Sequence, residues 1–477
     1  MILSAYEPKT VFSIFEELSK IPRGSGNEKA ASDYAANFAR EKGFKTVQDK
    51  FNNVIIFKPG TAGYEDKSPV ILQAHLDMVC EKNADTDFNF LTDPLNLYID
   101  GDFVKARGTT LGADNGIGVA FCLALLEKCE NHPPLEIILT TEEETGMDGA
   151  ENLDMNLLKG KRLINLDSSD EKQFTMGCAA GTTAEYVLPI KREKNDGTTC
   201  KISVKGLSGG HSGEDIIKER GNSLKILGQI LNAMGEKTKI ASICGGMKMN
   251  AIPREAEAVI TFDSETDASD AKQKMENFCK TLYKRYKVSD PELLIEYEKT
   301  STADTVLTAE CRQKLVSSLL LMPSGVSQRS IEIENLVNLS CNLGVAETFD
   351  DNIKVLAMIR GAAQFYNTQL EDQIAALAES LGAELTLSQR SPAWPYDPDS
   401  ALLKTALKVY EPIFKNKPKV TAIHAGLECG LFSEKIQGID IISFGADVHE
   451  LHTPNERLSI SSTARVWEFV KNLLKEL

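Results

Sequence analysis

VILQAHLD, residues 70–77, is an apolar run that breaks abruptly into His75 and Asp77. A nearly continuous apolar run of this length predicts a strand covered on both faces, as in a parallel sheet. The pattern recurs in LEIILTT (135–141), RLINL (162–166) and IDIISFG (439–445), and NVIIF (53–57) adds a further strand. Between them, IGVAFCLALLEKC (117–129) predicts a buried helix. Upstream, residues 11–20 and 28–42 show helical apolar spacing, split by IPRGSGN (21–27), which reads as a breaker followed by an N-cap. Strands alternating with helices predict an α/β sheet with helices on both sides, a three-layer α/β/α arrangement.

After about residue 185 the texture changes. KREKNDGTT (191–199) is polar and turn-rich, the mark of a boundary loop. KISVKGL (201–207), SLKILGQILNAM (223–234) and EAEAVITFD (255–263) read as strand, helix and strand, followed by a charged helix over 269–287. RQKLVSSLLLM (312–322), SIEIENLVNLSCN (330–342), NIKVLAMIRG (352–361) and QLEDQIAALAESLG (369–382) give a second round. SPAWPYDPDS (391–400) is a proline-rich exit, and a helix (401–411), the IDIISFG strand and a last helix (461–476) close the chain. The expected organisation is an α/β domain, 1–187 and 394–477, interrupted by an inserted α+β domain, 188–393, made of two similar strand–helix–strand units.

With 477 residues, 42% of them hydrophobic and 26% charged, the chain has the composition of a globular protein large enough to need no disulfide or metal merely to fold. Its formal charge of −16 argues against nucleic acid or an anionic membrane as a partner. No run of 18 apolar residues exists, and the N-terminus lacks a basic region before its apolar residues, so neither a spanning helix nor a secretory signal is expected. The ten cysteines are scattered, none in Cys-x-x-Cys, which fits free thiols in a reducing cytoplasm.

The rare residue types fall at strand ends. His75 and Asp77 follow VILQA; Asp114 lies in the glycine-rich TTLGADNG (109–116); Glu142, Glu143 and Glu144 follow LEIILTT; Asp167 ends RLINLD; and His452 follows IISFG in ELHTPNE. In an open α/β sheet, sites form beyond the carboxyl ends of the strands. Imidazoles and carboxylates without thiolate suit a pair of divalent ions, zinc first, with cobalt or manganese as alternatives. In His-x-Asp the carboxylate can accept from the second ring nitrogen and fix the tautomer. Taken singly, HxD, a glutamate run and a glycine-rich turn are weak signs; their ordered set is a strong one. His132, beside two prolines, reads as structural, and His449 competes with His452 for the ligand role.

HLD, GADNG, TTEEETG, NLD and HTPNE together resemble the co-catalytic metallopeptidases that include carboxypeptidases, aminoacylases and carnosinases. GGHSGEDI (209–216), MNAIPREA (249–256), HAGLECGLF (424–432) and ISFGADVHELHTPNE (442–456) resemble its aminoacyl-histidine dipeptidase (cytosolic non-specific dipeptidase) branch. The resemblance implies that His75, Asp114 and Asp167 hold one metal, and that Asp114, Glu144 and His452 hold the other, with Asp114 bridging. It implies Glu143 as general base, Asp77 as the residue orienting His75, and a supporting role for Glu142. A register shifted by one within the triple glutamate stays open. His211 would help bind substrate or stabilise the oxyanion, with Asn250, Arg360, Gly426 and Glu428 as further substrate contacts. The implied activity is hydrolysis of dipeptides, Xaa-His and broader unblocked ones, by a metal-activated water. The implied assembly is a homodimer through the inserted lid domain. An aminoacylase or deacetylase on the same scaffold, or a catalytically silent peptide-binding homologue, are the alternatives.

Overall fold

The structure, a computed structural model, describes residues 2–477. Its contacts divide the chain into two compact units, each with its own hydrophobic core. One holds the chain up to Gly177, Tyr396–Ala422 and Leu427–Leu477; the other holds Cys178–Pro395 and Ile423–Gly426. Polar KREKNDGTT does not mark the division. Strand Gln173–Cys178 belongs to the first sheet, and Ala180–Pro189, one residue later, to the second. The chain changes sheets without a polar linker, so composition carries no signal there.

The first unit is built on an eight-stranded mixed sheet. Its centre is parallel: Leu135–Thr140, Val70–His75, Arg162–Asn165 and Asp440–Ser443 lie side by side in that order. Every residue of the first two strands is buried, which is why they read as unbroken apolar runs. Antiparallel Val54–Lys58 and Lys45–Gln48 extend one edge. Helix Ala113–Lys128 is buried from Asn115 to Leu126 with one polar residue in that span, as a helix enclosed on all sides must be. Helix Ile460–Glu476 instead buries one stripe, including Val466, Phe469, Val470 and Leu473. Phe174, Tyr410, Phe414, Phe444 and Phe469 stack in an aromatic cluster whose ring centroids lie 4.1–6.1 Å apart, a geometry that favours offset and edge contacts.

The second unit's nine-stranded sheet is antiparallel throughout. Both strand–helix–strand rounds lie in it. The halves meet where Lys239–Gly245 and Val337–Thr348 pair through Cys244↔Glu347 and Gly245↔Ala346. Helices Ser223–Met234, Glu265–Arg285, Ala309–Leu321 and Gln364–Leu381 contribute to one core. The second-round strand starts at Val337 rather than at Ser330. Ile331 is almost fully exposed, so the apolar alternation of SIEIEN has no buried face to serve.

Candidate metal centre

Three parallel strands end at the same edge of the first unit's sheet, and each delivers ligands there. Strand Val70–His75 ends on His75 itself. Asp167 stands two residues past Arg162–Asn165, and Glu143 and Glu144 stand three and four past Leu135–Thr140. Asp114 comes from the start of helix Ala113–Lys128, where it and Asn115 leave helical dihedrals. His452 sits in left-handed backbone, φ 60, a conformation a non-glycine residue adopts at some cost, commonly at functional sites.

These side chains converge. His75 Nε2 lies 3.1 Å from Asp114 Oδ1 and 3.3 Å from Asp167 Oδ1. His452 Nε2 lies 3.2 Å from Asp114 Oδ2 and 3.1 Å from Glu144 Oε1. Two triads, His75/Asp114/Asp167 and Asp114/Glu144/His452, therefore share Asp114, one carboxylate oxygen toward each. Each triad offers ligand atoms within 4.8 Å of one another. His75, Glu143 and Glu144 form a third such group. His449 lies outside all three, its ring edge-on to Phe103 at 5.8 Å.

The residues fit a pair of divalent ions. Tetrahedral coordination at about 2.0–2.2 Å puts neighbouring ligand atoms about 3.3–3.6 Å apart, close to the spacings within each triad. Glu144 Oε1 is buried with no hydrogen-bond partner of its own. The electrostatics also call for cations. Burial pushes Asp167 up to about 7, assisted by Asp114 and Glu144 and against the pull of His75. Burial likewise holds Glu143 well above the carboxylate range, with Asp167, Glu428 and Glu144 adding to it against His75. His452, bonded to Asp114 and beside the Glu144 carboxylate, is raised to about 10. His75, which burial alone would lower, is raised by Asp167, Asp114 and Asp77. Protons on these groups stand in for positive charge that a metal supplies.

Supporting residues fix the ligands. His75 Nδ1 lies 3.3 Å from Asp77 Oδ1, though off the line of a good hydrogen bond. Asp77, fully buried, accepts from Glu143 N and Glu144 N, both at 3.1 Å, and from Ser25 Oγ at 2.8 Å. It therefore fixes the backbone of Glu143 and Glu144 while lying beside His75. Those bonds and His75 bring it down to about 2 despite burial, which opposes them. Asn115 Nδ2 donates to Asp167 Oδ1 at 2.5 Å. Glu142 takes a left-handed φ of 55, and its N–H donates to Glu28 Oε1 at 3.2 Å.

Sequence reasoning missed Ser25, Glu28 and Asn115. The IPRGSGN stretch is more than a breaker: it presents Ser25 to Asp77, and Glu28, which caps Gly26 N, to Glu142. Three polar residues within a glycine-rich turn were the available signal. Asn115 stood beside Asp114 in GADNG and was passed over as a turn residue.

Glu428 opens helix Glu428–Lys435 and is 2% exposed. Its Oε2 accepts from Gln73 Nε2 at 2.6 Å and Thr140 Oγ1 at 2.8 Å, and burial pushes it up to about 8. One oxygen thus braces the strands, while Oε1 is buried without a hydrogen-bond partner.

The second unit gathers a separate group. His211 lies in a short ladder with Ala251, and its Nδ1 accepts from Gly213 N and Glu214 N, both at 3.3 Å. That leaves Nε2 as the N–H end of the ring. Burial and the Arg360 charge lower its pKa, so it is neutral near pH 7. Arg360 is 7% exposed, reaches Ser212 Oγ at 3.5 Å and makes no ion pair among the described residues. Asn250 is exposed, and its carbonyl accepts from Ser212 N at 2.8 Å. His424, buried, bonds Ser340 Oγ through Nε2 at 2.7 Å. Gly426 lies in the same unit, in Ile423–Gly426. His132 is fully buried, with Nδ1 2.7 Å from Pro133 O, a structural role.

An α/β sheet carrying two His–carboxylate triads around one shared aspartate, with the Glu143 carboxylate beside them, fits a hydrolase that works with two metal ions. Residues 71–476 match peptidase family M20/M25/M40, and the chain belongs to that family. It is 37% identical over 482 aligned residues to the cytosol non-specific dipeptidase of Escherichia coli (strain K12), covering 100% of this chain and 99% of that one. Among solved structures, the aminoacylhistidine dipeptidase of Vibrio alginolyticus superposes with a TM-score of 0.92 at 37% identity, covering 100% of this chain and 98% of that one. Aminopeptidase PepT of Bacillus cereus superposes with a TM-score of 0.57 at 15% identity over 99% of both chains, a likeness of fold alone.

Proposed function

We propose that the protein is a dipeptidase that hydrolyses unblocked dipeptides, Xaa-His among them, with two divalent ions held by His75, Asp114, Asp167, Glu144 and His452. The observation that carries this reading is the pair of triads sharing Asp114, with Glu143 beside them. Such ions supply Lewis acidity, acidifying water and polarising the scissile carbonyl. Glu143 takes the proton of the attacking water on its carboxylate and returns it to the leaving amine. Asp77 keeps Glu143 and Glu144 in register through their backbone N–H groups.

His211, with its N–H end at Nε2, is a donor for the developing oxyanion. Arg360, a buried guanidinium without an ion-pair partner, suits a substrate carboxylate, which it can hold in two-pronged fashion. Asn250 and Gly426 are assigned to substrate binding with it. The second unit is assigned the lid and dimer-forming role, zinc is the first choice of metal, and cytoplasm is the proposed compartment. Cys122, Cys129, Cys200, Cys279, Cys311 and Cys341 are buried free thiols, and no described helix is long and apolar enough to cross a membrane.

The test is a substrate panel: β-alanyl-histidine, glycyl-histidine, leucyl-glycine and N-acetyl amino acids, each with zinc, cobalt and manganese in turn. Turnover of the free dipeptides is expected. Cleavage of the N-acetyl amino acids alone would assign the site to an aminoacylase. Turnover of none, with protein shown to be folded, would assign it to a silent homologue.

A further inference from the structure

Two buried charged side chains that belong to neither metal triad hold the loops that carry the triads. We infer that Glu456 and Arg23 are positioning residues for the metal centre, locking the loops of His75, Asp114 and His452 to one another; the inference rests on reading the cluster as a metal site.

Glu456 follows His452 by four residues and is 2% exposed. Its carboxylate accepts from four successive backbone N–H groups. Oε2 takes Leu111 N at 2.7 Å and Gly112 N at 2.9 Å; Oε1 takes Ala113 N at 2.8 Å and Asp114 N at 3.3 Å. Ala113 N and Asp114 N are among the groups that the opening of a helix leaves unsatisfied, and the latter belongs to the bridging ligand itself. One carboxylate thus joins the segment that delivers His452 to the turn that delivers Asp114.

Arg23 makes the second join. It is 1% exposed, and Nη1 donates to Leu76 O at 2.8 Å and Asp77 O at 2.9 Å, the two residues that follow His75. Nη2 donates to Gly112 O. The glycines of GADNG make room for it: a Cβ on Gly112 or on Gly116 would stand 2.6 Å from Nη2. Gly112 also requires its left-handed φ of 64.

Both residues bond within two positions of a ligand, or to the ligand's own backbone. Asp114 must aim one oxygen at each histidine, so a small rotation of its turn opens both triads. A residue that merely capped the helix would lower stability when lost and leave metal affinity alone.

That difference gives the test. Metal-stripped full-length protein is titrated with zinc against a chromophoric chelator, and the melting temperature of the stripped protein is recorded. Glu456→Gln offers one acceptor oxygen and turns an NH₂ group toward two N–H donors. It is expected to lose about 10–100-fold in affinity for at least one zinc equivalent, with Glu456→Asp intermediate. Arg23→Lys keeps the charge but not the fork, and is expected to lose affinity in the same direction. Should Glu456→Gln fail to fold, Glu456→Asp and Arg23→Lys decide. Wild-type affinity for both equivalents in the folded variants, whatever their melting temperatures, would overturn the inference. Wild-type protein that binds no zinc would instead sink the metal reading itself, and this inference with it.

Discussion

Glu143 and Glu144 are adjacent and chemically identical, yet their surroundings differ. Glu144 Oε1 lies 3.1 Å from His452 Nε2 and joins the triad with Asp114. Glu143 has its N–H on Asp77 and its carboxyl among other carboxylates, with burial raising its pKa. Within Glu142–Glu144 the sequence alone leaves the register open by one residue. Three local facts set Glu142 apart from the other two: its left-handed turn, the bond from Glu142 N to Glu28, and the shared grip of Asp77 on the next two N–H groups. None of the three is encoded within the glutamate run itself. Replacing Glu143 by Gln removes the proton acceptor and preserves shape and the ligand set. Turnover of leucyl-glycine is expected to fall about 10²–10⁴-fold, with metal content unchanged by elemental analysis. A variant within a few-fold of wild-type turnover would remove Glu143 from the base role.

At the scale of elements, what was legible depended on burial. Val70–His75, Leu135–Thr140 and Asp440–Ser443 are covered strands, so their apolar runs announce them. The hairpin Leu97–Asp100 and Phe103–Ala106 is partly exposed and mixes polar with apolar residues, so no run marks it. Helix Ala113–Lys128 was read from residue 117, and Asp114 and Asn115 indeed depart from helical dihedrals. Its glycines illustrate why local propensity misleads near a site. Ala in place of Gly in a helix ordinarily stabilises by about 1 kcal/mol. At Gly116 the new Cβ would meet Arg23 Nη2 at 2.6 Å and Phe15 Cε2 at 3.2 Å, and Arg23 is tied at three carbonyls. Gly116→Ala is therefore expected to destabilise by about 1–3 kcal/mol through overpacking, read from the denaturant midpoint of the first unit. Stabilisation would show that Arg23 is free to move.

Across the whole molecule, the formal charge of −16 suggests no partner by itself. The structure concentrates part of that charge: Asp77, Asp114, Glu143, Glu144 and Asp167 stand around two histidines in one cluster. Two divalent ions would offset four of those five negative charges, so an acidic chain can hold a nearly neutral centre that does not repel a dipeptide's carboxylate. The candidate cluster was legible because His75, Glu144 and Asp167 stand at the ends of covered strands and Asp114 opens a helix. The bracing by Arg23, Ser25, Asn115 and Glu456 was not, because those contacts cross between distant segments, as between Glu456 and the turn at 111–114. The first division falls after Gly177 rather than near residue 187 for a related reason, since the chain passes from Cys178 to Ala180 between two strands. The most direct measurement is leucyl-glycine hydrolysis by metal-stripped protein titrated with zinc, cobalt or manganese. The rate is predicted to rise from near zero and level off at two ions per chain. Full turnover in the presence of chelator, or none at any loading of folded protein, would contradict the account.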